Sequence, residues 1–157
     1  MDWARQDLTS FGLSCEVFGG PDVALELEST EGHLYLSQGS NGYALWVSWR
    51  PGETFDVWLA RVLNDGTAPA TIVEPRAPTR LCGVPAERVA IEAVLPPGAV
   101  GHREDGVVSL ESGTVRIVLV GAQHRGAPLV AGFRRPVVDS DGSLAEARFF
   151  ESFRCRA

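Results

Sequence analysis

Short segments in which apolar and polar residues alternate make up most of the chain, and turn residues separate them. In VALELES, residues 23–29, the valine and leucines fall on one side and the glutamates on the other, which is the period of a half-buried strand. The Asn-Gly pair at residues 41–42 suits a tight hairpin turn. It leads into YALWVSWR, residues 43–50, which is apolar on both faces and therefore predicts a central strand.

One segment in the middle of the chain changes to the helical period. In TFDVWLARVLND, residues 54–65, the apolar residues recur at i, i+3, i+4, i+7 and i+8, beginning at Phe55. Thr54 precedes this pattern and is a suitable N-cap. The pattern predicts a helix over about 54–65 with one face packed on the sheet.

The second half of the chain returns to strand-like patterns. TIVEP, residues 71–75, is short, and Pro75 and Pro78 favour an edge strand or a loop there. ERVAIEAVL alternates and precedes two prolines, which indicates a strand. We expect GVVSLES and TVRIVLVGAQ, residues 106–123, to form a hairpin around the Ser-Gly pair, with TVRIVLVGAQ buried on both faces and PLVAGFRRPV as the next strand.

The last stretch, SLAEARFFESFRCRA, predicts a second helix over about 144–154. Ser143 and Glu146 have the spacing of a capping box. At 100° per residue, Phe149, Phe150 and Phe153 fall within an arc of about 100°. We interpret this stripe as a face that docks on the sheet, in preference to a partner-binding face.

Length and charge exclude several classes of function. A chain of 157 residues is expected to form a single domain, residues 1–157. Its net charge is -6, which would repel a phosphate backbone, so nucleic acid is not an expected partner. All 14 basic residues are arginine, and the absence of lysine excludes Schiff-base chemistry and a Walker A loop. No apolar run is long enough to span a membrane, and no cofactor is predicted.

The cysteines and the N-terminus bear on the cellular compartment. Cys15, Cys82 and Cys155 are too far apart for a CxxC site, and their odd number leaves at least one free thiol or an intermolecular bridge. Buried or inert thiols are the favoured interpretation. The first residues do not have the pattern of a signal peptide. We therefore expect a cytoplasmic protein if the chain is complete, or an exported one if a signal peptide was trimmed.

Only weak signals of site chemistry occur. GHREDG, residues 101–106, places His102 and Arg103 beside Glu104, which could support acid-base work, although a solvated turn is favoured. His124 lies in a predicted hairpin turn, and no two histidines have helical ligand spacing. DSDGS begins like a calcium loop, but the twelfth position would be Phe150 instead of glutamate, which excludes an EF-hand.

The tryptophan residues leave open whether the surface carries a binding patch. An exposed member among Trp46, Trp49 and Trp58 would indicate such a patch, whereas core packing is favoured for at least two of them.

TRLCGVPAERV, residues 79–89, and ARFFESFR, residues 147–154, resemble the PsbP-like family, which includes the Ran-binding Mog-type proteins and bacterial relatives. The order of elements extends this resemblance over almost the whole chain. It implies an α+β domain, an α/β/α sandwich whose central antiparallel sheet is flanked by the two predicted helices. It also implies a role in binding proteins, supplies no catalytic residues, and includes bacterial relatives that are exported or lipid-anchored.

These observations lead to three hypotheses. The first is a non-catalytic adaptor or chaperone that contacts an unidentified protein partner near Trp46, Trp49, His102, Arg103 and Glu104. The second is an enzyme or small-ligand binder with a pocket between sheet and helix that uses His102, Glu104 or His124. The third is a structural subunit of a larger assembly, detectable as a concentration-dependent dimer.

Overall fold

The computed structural model of the chain describes residues 2–8, 12–19, 23–28, 33–38, 43–64, 69–95, 97, 100–103, 106–109, 113–139 and 141–156. In chain order the described elements are β1 (Asp2–Leu8), β2 (Leu13–Gly19), β3 (Val23–Glu28), β4 (His33–Gln38), β5 (Tyr43–Ser48), α1 (Phe55–Leu63), β6 (Ala70–Leu81), β7 (Val84–Leu95), β8 (Val100–Arg103), β9 (Gly106–Ser109), β10 (Gly113–His124), β11 (Ala127–Pro136), α2 (Gly142–Glu151) and β12 (Arg154–Cys155).

A seven-stranded antiparallel sheet in the order β3-β4-β5-β11-β10-β7-β6 forms the centre of the fold. β5 and β10 are inner strands, and the side chains of β5 are buried throughout, as the two-sided apolar patterns predict. β6 is an edge strand, which agrees with its two prolines. The predicted α+β class with a central antiparallel sheet is confirmed.

Helix α1 covers one face of this sheet. Thr54 caps the helix by accepting a hydrogen bond from the Val57 backbone N–H at 3.3 Å, as predicted. Phe55, Trp58 and Leu59 pack on sheet residues such as Trp46 and Ile117. The predicted mid-chain helix is therefore confirmed, and its C-terminal end lies two residues before the predicted one.

The opposite face of the central sheet is covered by α2 together with a second sheet of order β1-β2-β12. Phe149 of α2 and Phe18 of β2 are fully buried between these layers, and Phe153 is 5% exposed. Phe149 and Phe153 therefore form the predicted docking face, while Phe150 is only half-buried. The second sheet was not predicted.

Two predicted features at α2 are wrong. Ser143 lies inside the helix, and the N-cap is Asp141, so no capping box forms. Glu146 instead accepts a hydrogen bond from Arg135 on β11 at 3.3 Å. The helix also ends at Glu151, earlier than predicted, because residues 154–155 pair with β2.

The predicted hairpin between residues 106–112 and 114–123 is also wrong. β9 pairs with β8, and β10 pairs with β7 and β11. β10 and β11 are joined by Arg125 and Gly126, both with positive φ, which is the backbone of a two-residue hairpin turn.

Two of the three cysteines depart from the expectation of buried or inert thiols, whereas Cys15 agrees with it. Cys82 at the tip of the β6–β7 hairpin forms a disulfide with Cys155 of β12, and Cys15 is a buried free thiol.

Candidate functional site

The two tryptophans predicted as partner contacts lie in the core. Trp46 is 7% exposed and Trp49 is 8% exposed. Trp46 stacks on Trp58 of α1 with ring centroids 5.9 Å apart, and its indole covers Gly132 so closely that a Cβ there would overlap the ring. A surface contact through these two rings would require exposed indoles, so the core-packing alternative applies to Trp46 and Trp49.

The other predicted contact residues lie in or beside β8. His102 and Arg103 are opposite Val107 and Gly106 of β9. Their side chains, and all of Glu104, lie outside the described residues. Their role in contacting a partner remains a prediction.

A shallow cavity of about 290 Å³ lies where the sheet meets the start of α1. Phe55, Glu87, Gly121 and Gln123 are among its lining residues. The Glu87 carboxylate already forms a salt bridge with Arg76 at 2.5 Å. His124 is buried at the end of β10 and does not line this cavity. Within the described part of the chain, the cavity thus has an apolar wall and a neutralised carboxylate, which suits packing or an apolar group better than proton transfer.

A buried carboxylate connects β5 to α1. Glu53 is 8% exposed, accepts a hydrogen bond from the Ser48 hydroxyl at 2.6 Å and pairs with Arg61 at 2.8 Å and Arg50 at 3.3 Å. Burial alone would raise the pKa of Glu53, but the hydrogen bonds from Ser48 and Arg61 hold it below its ordinary value. An ionised carboxylate with three donors is a structural anchor, and sequence reasoning missed it because its partners come from separate elements.

The edge of the central sheet at β6 combines exposed apolar residues with a strand edge that no other described strand pairs with. Ile72 is 47% exposed, Val73 is 42% exposed, and Val94 on the adjoining β7 is 54% exposed. Val73 is the extra residue of a β-bulge, because Ile72 and Glu74 pair with consecutive residues of β7. We call Ile72, Val73, Glu74 and Val94 the β6 edge surface.

Fixed charges lie beside the β6 edge surface on the α2 side of the sheet. Glu74 is hydrogen-bonded by Arg88 and pairs with Arg116 at 2.9 Å. The hydrogen bond from Arg88, followed by that from Arg116, lowers the pKa of Glu74. Arg88 also reaches Glu146 of α2 at 3.7 Å. These ion pairs connect Glu74 to α2 on one face of the sheet, whereas Ile72 lies opposite Ile91 on the face that α1 covers.

Comparisons with known proteins identify the fold. A scan against protein-family models finds no match, and no curated protein sequence matches. The solution structure of cyanobacterial PsbP (CyanoP) from Synechocystis sp. PCC 6803 is similar over 99% of this chain and 93% of that one, with a TM-score of 0.61 and 11% identity. The crystal structure of the Saccharomyces cerevisiae Ran-binding protein Mog1p is similar over 99% and 96% of the two chains, with a TM-score of 0.50 and 11% identity.

These likenesses establish the class of fold. The chain has the α+β fold shared by PsbP and Mog1p, which confirms the predicted resemblance in fold. Neither helix among the described residues is long and apolar enough to cross a membrane.

Proposed function

We propose that this chain is a single non-catalytic domain that binds a protein partner as an adaptor or chaperone. The observation that carries the proposal is the β6 edge surface, where three large apolar side chains are exposed beside a strand edge. The described residues provide no strand that pairs with the outer edge of β6. An exposed edge with apolar neighbours is suited to an extended segment from another protein.

Two properties of β6 make this edge selective. Pro75 and Pro78 have no backbone N–H, so the second half of β6 is a poor template for further strand pairing. Residues 70–74 retain their backbone donors and include Ile72 and Val73, two of the three exposed apolar side chains. A partner segment therefore has a short length of edge to pair with, and the charges at Glu74 and Arg88 limit its register.

The fold supports a binding role by analogy only. Mog1p, which has a similar fold, is described as a Ran-binding protein. We extend to this chain the general property of binding a protein, without extending the partner.

The disulfide supports an exported location. Disulfides persist in oxidising compartments and are rare in the cytosol. The Cys82–Cys155 bond therefore favours the exported alternative over the cytoplasmic one for this activity.

The test is site-specific photo-crosslinking in cells of the source organism. A benzoylphenylalanine replaces Val73, and a matched variant carries it at the exposed Ala147 of α2. We expect one protein to crosslink from position 73 and not from position 147. Val73→Lys should weaken binding of that purified protein by about tenfold or more, since lysine protects strand edges from added strands, while Ala147→Lys should not. Absence of a crosslinked protein from position 73 would refute the proposal.

A further inference from the structure

A cleft on the second sheet gathers arginine side chains. It has a volume of about 380 Å³ and lies where the end of β1, the start of β2 and β12 meet. Arg5, Arg154 and Arg156 line it, together with the acidic Asp7. Three arginines against one aspartate give the cleft a positive charge, although the whole chain carries -6.

The backbone holds these side chains in place. Asp7 and Arg154 are both opposite Ser14, on either side of β2, so the three residues form a row across the three strands. The Arg156 backbone N–H donates to the Gly12 carbonyl at 2.7 Å. Arg5 donates to the Ser14 hydroxyl and to the Ser152 carbonyl, each at 3.0 Å. The cleft is thus built on paired strands and on the bonds that connect β1 to the end of α2.

A fourth arginine, Arg125 of the β10–β11 turn, lies against Gly12, which is one of the residues that line the cleft. The guanidinium of Arg125 lies against Gly12, so closely that any Cβ at position 12 would overlap it. Gly12 also has a φ of 69°, which disfavours other residues. Glycine at this position therefore allows Arg125 to lie beside the cleft.

The arginines of the cleft differ from those elsewhere in the fold. Most arginines of the central sheet and the helices pair with carboxylates: Arg50 and Arg61 with Glu53, Arg76 with Asp56 and Glu87, Arg88 and Arg116 with Glu74, Arg135 with Glu146. Arg80 of β6 instead donates to the Gly83 carbonyl. Even Glu16, opposite Arg5 on β2, pairs with Arg148 at 3.2 Å. Within the described ranges, Arg154 and Arg156 form no ion pair. Arg154 contributes a minor part to lowering the pKa of Glu16, after the hydrogen bond from Arg148, and its side chain and that of Arg156 are exposed to a ligand.

We propose that this cleft binds the carboxylates of an acidic segment in the protein partner, an inference that rests on the proposed function. Arginine presents a planar pair of donors that matches a carboxylate in bidentate geometry. The cleft volume is at the lower end of the range of roughly 300–1,000 Å³ for ligand sites, which suits a short stretch of peptide. Asp7 reduces the positive charge, so one or two carboxylates are better matched than a dense row of phosphates.

The test measures binding of a fluorescein-labelled hexaglutamate peptide by anisotropy, with hexaglutamine as the matched neutral probe. We expect hexaglutamate to bind saturably, to bind less tightly as salt is raised, and to bind more tightly than hexaglutamine. Arg154→Gln and Arg156→Gln should each weaken binding about tenfold, the order expected for one charge-assisted hydrogen bond. Arg76→Gln, which removes an arginine on the α1 side, should leave the affinity unchanged. Both cleft side chains are exposed, so the thermal midpoint of each variant should match the wild type.

Three results would overturn the inference. They are equal binding of the two peptides, unchanged affinity in the R154Q/R156Q double variant, and binding of inorganic phosphate at the cleft without binding of hexaglutamate. Binding measurements with the protein that crosslinks from position 73 distinguish failure of this inference from failure of the proposed function. If that partner binds the double variant as tightly as the wild type, the cleft proposal fails and the protein-binding proposal stands. If hexaglutamate binding depends on Arg154 and Arg156 but no partner crosslinks, the cleft binds carboxylates, and the assignment of those carboxylates to a protein partner fails together with the proposed function.

Discussion

Cys82 and Cys155 are joined by a disulfide although 73 residues separate them in the sequence. The bond ties the tip of the β6–β7 hairpin to β12, and thus connects an edge of the central sheet to the second sheet. We expect Cys155→Ser to lower the free energy of unfolding by about 2–4 kcal/mol, because the cross-link restricts the unfolded chain. Urea unfolding of wild type and variant measures this difference. Wild-type protein in reductant should show a similar loss, and equal midpoints would contradict the prediction.

Cys15 should be unreactive in the folded protein. Burial raises the pKa of its thiol to about 12, against a smaller opposing effect of Arg5, so almost no thiolate is present at neutral pH. We expect no iodoacetamide adduct under native conditions, one adduct after unfolding without reductant, and three after unfolding with reductant, as counted by intact mass. Alkylation of the native protein at Cys15 would show that this part of the core opens.

Gly132 should not tolerate a side chain. A Cβ at this position would overlap the indole of Trp46, which is itself stacked against Trp58. We expect Gly132→Ala to cost roughly 1–3 kcal/mol of stability by overpacking. Gly52→Ala is the matched control, because no atom lies within 4 Å of its Cβ position, and it should change stability by less than about 0.5 kcal/mol. A Gly132→Ala variant as stable as that control would show that the two indoles can move apart.

Glu53 should make the free energy of unfolding decrease as the pH falls into the acid range. At neutral pH we expect Glu53→Gln to cost about 1–3 kcal/mol, because Arg50 and Arg61 lose a charged partner. Folding lowers the pKa of Glu53, so its contribution is complete above the ordinary value of 4.5 and is lost as the pH falls through the lower folded-state value. The difference in stability between wild type and variant should therefore shrink below about pH 4.5.

Chemical unfolding across this pH range is the measurement for Glu53. The exposed Glu151→Gln serves as the control, and it should change stability by less than about 0.5 kcal/mol. A Glu53→Gln difference that stays constant down to acid pH would mean that the carboxylate is not ionised in the fold.

The sequence predicted local features better than distant pairings. Helix α1 follows from the spacing that begins at Phe55, and Thr54 caps it, since both signals lie within a few residues. The partner of β9 could not be predicted in this way. Strand pairing depends on which edges meet in three dimensions, and β7 occupies the edge of β10 that the local Ser-Gly signal assigned to β9.

The second sheet escaped prediction for the same reason. The terminal helix was predicted to extend to about residue 154, yet Arg154 lies outside it because residues 154–155 pair with Ser14 and Leu13 of β2. Ser143 and Glu146 have capping-box spacing, but the Glu146 carboxylate accepts a hydrogen bond from Arg135 instead. In each case a partner distant in the sequence replaced a neighbouring one.

The candidate site was predicted only in part. Pro75 and Pro78 marked β6 as an edge, and the exposed Ile72 and Val73 lie on this strand, whereas the more exposed Val138 and Leu144 lie before and in α2. Trp46 and Trp49 could not be assigned to the core from their spacing alone, because a two-sided apolar strand does not reveal what covers each face. Nothing in the local pattern groups Arg5 with Arg154, whose proximity depends on both strands pairing with β2.

The position of β12 next to β2 has a consequence for synthesis on the ribosome. The chain emerges from its N-terminal end, so β1 and β2 can pair while α2 and β12 are still in the exit tunnel. Until Phe149 and Phe153 have emerged, the apolar side chains of Leu13 and Val17 lack the phenylalanines that pack with them in the finished core. The nascent chain therefore exposes these apolar side chains until α2 emerges, and protection by a general holdase would matter most in that interval.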